Sequence, residues 1–173
     1  MAIIVTIPGA PGRRLERLRR LLEPGSDRRL APHIPLVAPF EVEPSFLPLE
    51  QHCWQAGHET SGFWVDLAQP AVDEAERLVY AEIVAGKDEL TALREALLTG
   101  RYAPSRDDST YAPRAMIAHL EREDDVAPAQ GETAQMEPAG SFYVERFELI
   151  ARYPDGTWYE RDFYTLDRAV TKA

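Results

Sequence analysis

Pro32-His33-Ile34-Pro35-Leu36-Val37-Ala38-Pro39-Phe40 is an apolar run with one histidine near its start, and it reads as a strand. A weaker copy follows 81 positions later, where Ala31-Pro32-His33-Ile34-Pro35-Leu36 aligns with Ala112-Pro113-Arg114-Ala115-Met116-Ile117. Both read Ala-Pro, a nitrogen-bearing side chain, then an alternating apolar strand, which is the pattern of a duplicated unit. Side chains alternate along a strand with period two. His33 and Pro35 therefore share one face of the first copy, and Arg114 and Met116 one face of the second. A cleft between two such strands is where chemistry is expected.

Working outward, Met1 to Ile7 reads as a first strand, closed by a Pro8-Gly9-Ala10-Pro11-Gly12 turn. Leu15, Leu18 and Leu22 then repeat at helical spacing opposite a run of arginines, until Pro24-Gly25 stops the helix. Phe46, Leu49 and Cys53 mark a second helix running to about Gly57. The aromatic and β-branched stretch Gly62–Leu67 predicts a strand and Arg77–Ile83 its antiparallel partner, joined by a polar connection from Gln69 to Glu76. A third helix starts at Lys87 or Asp88, shows Leu90, Leu93 and Leu97 on one face, and ends with Gly100 at C′. Arg101 to Thr110 is a polar loop of the kind that rims a site. A short helix beginning at Pro128 precedes a closing hairpin, with strands Ser141–Tyr153 and Thr157–Leu166 about a Pro154-Asp155-Gly156 turn. Strands that come as hairpins with helices between them predict an α+β protein with antiparallel sheets, one domain over residues 1–173 without a linker.

Composition narrows the function. At 173 residues and 45% apolar content the chain can bury a sizeable core, and no apolar run reaches membrane-spanning length. The opening residues lack the basic region of a signal peptide, and the single Cys53 has no internal disulfide partner, so a cytoplasmic location is expected. A net charge of −10 argues against nonspecific coating of DNA or RNA. The charge is uneven, because residues 1–40 carry +4 and the remainder −14. That leaves room for a local basic face that meets a small phosphorylated ligand, although the arginines also suit a solvated helix face.

The order of these elements, with Pro32–Phe40 as its most specific stretch and Tyr111-Ala112-Pro113-Arg114-Ala115-Met116-Ile117 as a later strand in it, resembles the two-histidine phosphoesterase superfamily, in particular its 2′-5′ RNA ligase-like branch. The resemblance spans nearly the whole chain. It implies two pseudo-symmetric lobes, each an antiparallel sheet with flanking helices, around a central groove faced by two His-x-Thr/Ser-apolar motifs. It also implies chemistry on 2′,3′-cyclic or 2′-5′ phosphodiesters with no metal and no cofactor, and a nucleotide or short RNA phosphate ester as partner. Phosphoryl displacement at a ribose hydroxyl needs a base on one side and an acid on the other, and histidine serves both near neutral pH. A hydroxyl two residues on shares the face and can bind a phosphate oxygen.

This chain departs from the motif at three of its four polar positions. His33 stands where the first histidine belongs, but Pro35 replaces the first hydroxyl, Arg114 the second histidine and Met116 the second hydroxyl. His33 is the expected catalytic residue and Arg114 the expected phosphate-binding one. Arginine keeps its proton at any ordinary pH, so it can hold a phosphate but cannot act as the base. A rescue by His119 is not expected, because an offset of five residues puts it on the opposite strand face from Arg114 and about 16 Å further along, an argument that a bulge would spoil. Three readings follow: a ligand-binding relative with weak or lost phosphodiesterase or ligase activity, a non-catalytic interaction module, and an active phosphoesterase drawing on the 101–110 loop. No metal site is expected. His52 and His58 are six apart and read as surface residues, Glu123-Asp124-Asp125 as a solvated turn, and Cys53 as core. Tyr102, Tyr111 and Trp64 could stack on a base, with core or rim packing the default.

Overall fold

The computed structural model describes residues 1–24, 30–41, 47–101, 103–104 and 111–167. Along the chain these form β1 (Ala2–Thr6), α1 (Gly9–Leu22), β2 (His33–Val37), α2 (Leu47–Glu59), β3 (Phe63–Asp73), β4 (Leu78–Ala85), α3 (Lys87–Leu97), β5 (Arg114–His119), a 3-10 turn (Glu123–Asp125), α4 (Val126–Ala134), β6 (Gly140–Val144), β7 (Arg146–Arg152) and β8 (Trp158–Thr165). The strands build one curled sheet of order β6-β3-β4-β5-β2-β1-β7-β8, every pairing antiparallel. The expected α+β class and its two related halves are borne out, with the halves joined edge to edge through β2 and β5 into a single sheet.

The duplication is visible in the elements. In each half a strand (β1, β4) leads through a glycine with positive φ, Gly9 at 68° and Gly86 at 92°, into a helix (α1, α3) and then the central strand. Only glycine takes that backbone conformation cheaply. Each helix carries Leu-x-x-Leu-Arg-x-x-Leu, Leu15 to Leu22 and Leu90 to Leu97, and lays its leucine face across the seam, α1 on β5 and α3 on β2. The crossovers thus interlock the halves. Leu15, Leu90, Leu93 and Leu97 are fully buried against Ile34, Leu36, Ala115 and Ile117, each leucine contributing roughly 1.5–3 kcal/mol. Because Ile34 and Leu36 point into this core, His33 and Pro35 point to the other face.

Several boundaries differ from expectation. β3 continues through the predicted polar connection to Asp73, with Pro70 accommodated at a register shift where the ladder is already broken. α3 ends at Leu97 with Leu98 as its C-cap, so Gly100 lies one place beyond C′. α4 starts at Val126, which puts Pro128 inside its first turn. The predicted strand Ser141–Tyr153 is broken at Glu145, where the chain leaves β3 and enters the ladder between β1 and β7. Phe46, Tyr102 and residues 105–110 lie outside the described residues.

Glu148, 2% exposed, sits beside the β1 ladder and takes the Thr6 N–H at 3.0 Å and the Arg146 Nε–H at 3.1 Å. Burial raises its carboxyl pKa above the usual range, against weaker lowering by Thr6 and Arg146. A raised folded-state pKa means the folded chain holds its proton longer than the unfolded one, so stability falls as pH rises from the ordinary glutamate value through the folded one. Urea melts between pH 4 and 7 should show that decline in the native chain and lose it in Glu148→Gln. Glu148→Ala, which leaves the Thr6 N–H without its acceptor, should cost about 1–3 kcal/mol.

Candidate functional site

Four side chains project from the central pair on the face away from the core: His33 and Pro35 from β2, Arg114 and Met116 from β5. His33 lies directly opposite Met116. Arg114 is two residues further along, a diagonal neighbour of His33 at roughly 7–8 Å between Cβ atoms. The imidazole and the guanidinium therefore share one face, as the sequence predicts. They open into adjoining cavities, however, divided by Met116 and Leu78, which line both.

The first cavity, about 310 Å³, holds His33 with Arg19 and Glu23 of α1, His119 at the end of β5, and Arg152 and Trp158 of the closing hairpin. His33 is half-buried, and its Nδ1–H donates to the Ala31 carbonyl at 2.8 Å. In the neutral ring that leaves Nε2 with the lone pair, the form a general base requires. Burial pulls the His33 pKa below the usual histidine range, only partly offset by the Ala31 hydrogen bond. Arg19, 4% exposed, grips Glu16 through two 2.7 Å hydrogen bonds. Glu23 accepts the His119 backbone N–H at 2.6 Å. Arg152 lies over the Trp158 ring, 5.9 Å from its centroid, and donates to Gly156 O.

The second cavity, about 450 Å³, holds Arg114 with Pro35, Ala38, Glu76, Arg94 and Tyr111. Arg114 stacks on Tyr80 at 4.5 Å and faces Asp73 and Glu82 at 3.6 and 3.4 Å. Those separations are ion pairs longer than a well-formed N–H···O bond, so its fork keeps donor capacity. Arg94, 5% exposed, donates to Leu36 O at 3.0 Å and lies over Tyr111, whose hydroxyl donates to Pro35 O. Arg19 and Arg94 thus occupy equivalent places, one beside each cavity. Sequence reading passed over both, although the doubled Leu-x-x-Leu-Arg-x-x-Leu was there to be found. It also passed over Arg152 and Trp158, which a fold-back of the last hairpin brings to His33.

The remaining candidates fall elsewhere. Cys53 is buried in the core, which pushes its thiol up to about 12. His58 is exposed and stacks on Trp54, while His52 is half-buried and donates Nε2–H to Leu97 O at the end of α3, a helix cap more than a surface group. Trp64 is exposed on β3 against Tyr143, away from both cavities. Glu123–Asp125 form the exposed 3-10 turn. No group of three or more metal-ligating side chains occurs among the described residues. Among them too, no helix is long and apolar enough to cross a membrane.

The fold is thus a duplicated antiparallel sheet with a strand imidazole and a strand guanidinium on one face, each opening into its own cavity. The sequence model of the 2′-5′ RNA ligase superfamily matches residues 7–156, and the chain belongs to that family. In structure it is similar to apo Escherichia coli LigT, with a TM-score of 0.65 at 16% identity over 96% of each chain. It is equally similar to TT0787 of Thermus thermophilus, with a TM-score of 0.65 at 16% identity over 97% of this chain and 98% of that one. E. coli LigT complexed with 3′-AMP gives 0.63 at 18% identity, covering 96% and 97%. At these identities the likeness concerns the fold. A comparison with curated proteins finds no match.

Since burial, not a charged neighbour, lowers the His33 pKa, its ring should titrate below 6.5. Saturating phosphate should move the midpoint upward, because the imidazolium is then paired with an anion. Histidine ring NMR across pH 4–9 measures both, and a midpoint at or above 6.5 without ligand would refute the desolvated setting.

Proposed function

We propose that this protein binds a nucleotide or small phosphate ester in the groove beside β2 and β5, with His33 against the phosphate and with weak phosphodiesterase or ligase turnover. The observation that carries the reading is the first cavity itself, where the His33 Nε2 shares a partly apolar hollow with the Arg152–Trp158 pair. A charged head beside a flat indole suits a phosphate joined to a base or other planar group. Arg114 is the second phosphate contact in this reading, exchanging its long ion pairs with Asp73 and Glu82 for a bidentate phosphate. The fold relatives lend support, as E. coli LigT has been seen complexed with 3′-AMP and with phosphate. Pro35 and Met116 supply no hydroxyl to a phosphate oxygen, which is the reason for expecting slow turnover. A reaction of this kind requires only water and the two ends of a phosphodiester, and a cytoplasmic site of action fits the family.

A second reading, a module that keeps the fold for a protein partner, is favoured by one observation: Asp73 and Glu82 already balance Arg114. Calorimetry separates the two. Native protein should bind 3′-AMP, and His33→Ala and Arg114→Ala should each weaken binding by roughly 10- to 100-fold, the worth of a hydrogen bond to a charged group. Absence of heat with 3′-AMP and with inorganic phosphate would leave the partner module standing.

A further inference from the structure

Arg114 cannot release a proton, so a two-ended phosphoryl transfer at His33 needs its second proton-transfer group from elsewhere. Among the described residues, the charged and titratable groups that line the His33 cavity with it are Arg19 of α1, Glu23 at the C-cap of that helix, Arg152 of β7 and His119 of β5. The arginines stay protonated. Glu23 is committed to Arg19 and to the His119 backbone N–H. Of that set, His119 carries the imidazole, the side-chain type most used for general acid–base chemistry.

Strict alternation would turn His119 away from Arg114 and Met116, but β5 does not alternate strictly. Tyr80 pairs with Met116 and the next residue, Val79, pairs with Ala118, so Ile117 is an extra residue in the strand. Such a bulge resets the side-chain parity. Leu78, which shares a face with Tyr80, pairs with His119, and His119 consequently joins Met116 on the His33 face. Counted in the ladder, His119 is two steps from Met116, so it is a diagonal neighbour of His33 at roughly 7–8 Å between Cβ atoms. The bulge is not a local accident. β2 has the same one at the same place, since Ile3 pairs with Val37 and Ile4 with Pro35, leaving Leu36 extra, and Leu36 stands 81 positions before Ile117. The equivalent of His119 is Ala38, and it lines the second cavity. Each half therefore delivers its residue five places past the motif position into a cavity, and only the β5 copy delivers an imidazole.

We infer that His119 is the catalytic partner of His33, supplying the acid–base function that position 114 lacks. The inference rests on the groove reading above. With a nucleoside 2′,3′-cyclic phosphate, neutral His33 takes a proton from water through Nε2 as the water oxygen bonds to phosphorus. The bond from phosphorus to one ribose oxygen breaks, and the His119 imidazolium gives its proton to that oxygen. The product is a phosphomonoester with a free ribose hydroxyl, and the proton on His33 returns to solvent as His119 takes one up. In the reverse direction the two exchange roles.

The test is steady-state hydrolysis of 2′,3′-cyclic AMP by the full-length native chain, His33→Ala, His119→Ala, His119→Gln and the surface control His58→Ala, with calorimetric binding of 3′-AMP and circular dichroism for each. Expected are a loss of roughly 100-fold or more in kcat for both His119 variants, with little change in KM, and removal of the alkaline limb of the native pH profile. A p-nitrophenyl phosphodiester, whose leaving group needs no acid, should lose far less than the cyclic nucleotide; a merely structural role would depress both alike. Hydrolysis that depends on His33 but survives His119→Gln would overturn the inference and leave the groove reading intact. Binding of 3′-AMP without any turnover would do the same. Neither binding nor turnover would overturn both.

Discussion

The antiparallel contact between β2 and β5, with His33 opposite Met116, is the constraint from which the remaining geometry follows. It sets two like strands head to tail, so whatever one half does at one end of the seam the other half repeats at the opposite end. α1 must then cross onto β5 and α3 onto β2 for their leucine faces to find a partner. Neither half can bury its own helix. This is why a duplicated sequence yields one continuous sheet instead of two separable lobes, and why the groove lies over the seam.

Electrostatics follow from the same symmetry. Arg19 and Arg94 sit at matching places on their helices and are almost wholly buried, a position a guanidinium tolerates only with partners. Arg19 finds two carboxylates, Glu16 and Glu23, while Arg94 finds the Leu36 carbonyl, the Tyr111 ring and the Glu95 carboxylate at 3.9 Å. The two buried arginines thus differ in the groups that hold them although their scaffold is shared. On a chain of net charge −10, the positive side chains near the seam are each set against an acid or an aromatic ring, and free positive potential is small. Recognition of an anion there, as proposed above, would depend on short-range donors more than on steering at a distance.

Much of this was legible in the chain. Period two in Ile34-Pro35-Leu36 and in Ala115-Met116-Ile117 sufficed to put His33 and Arg114 on one face, and the leucine spacings located α1 and α3. What escaped depends on long-range geometry. Residues 69–73 looked polar enough for a loop and became strand because β4 was there to pair with them. Glu145 breaks the penultimate strand because the sheet curls until the chain can pass from one edge to the other half, a path no local propensity encodes. The placing of Arg152 and Trp158 beside His33 depends on the same curl. Above all, a bulge leaves no mark in composition: nothing about Ile117 as a residue announces that it is the extra one.

The bulges also decide how much the replaced motif positions matter. An imidazole of ordinary pKa is already roughly three-quarters neutral at pH 7, so the burial that lowers the His33 pKa adds little to the supply of base. Its larger effect lies in the bound state, where a phosphate in an apolar hollow must be met by a proton from close by. In the proposed reading, the absence of hydroxyls at positions 35 and 116 would withhold two short-range donors, each of modest worth, whereas the absence of a titratable group opposite the base would withhold the reaction's other half. A sheet whose central strands both carry an extra residue at the same point has two positions, not one, from which a side chain can reach each cavity. Position 114 opens into the second cavity and position 119 into the first, so in the proposed reaction an imidazole at 119 would meet His33 in its own hollow whatever side chain stands at 114.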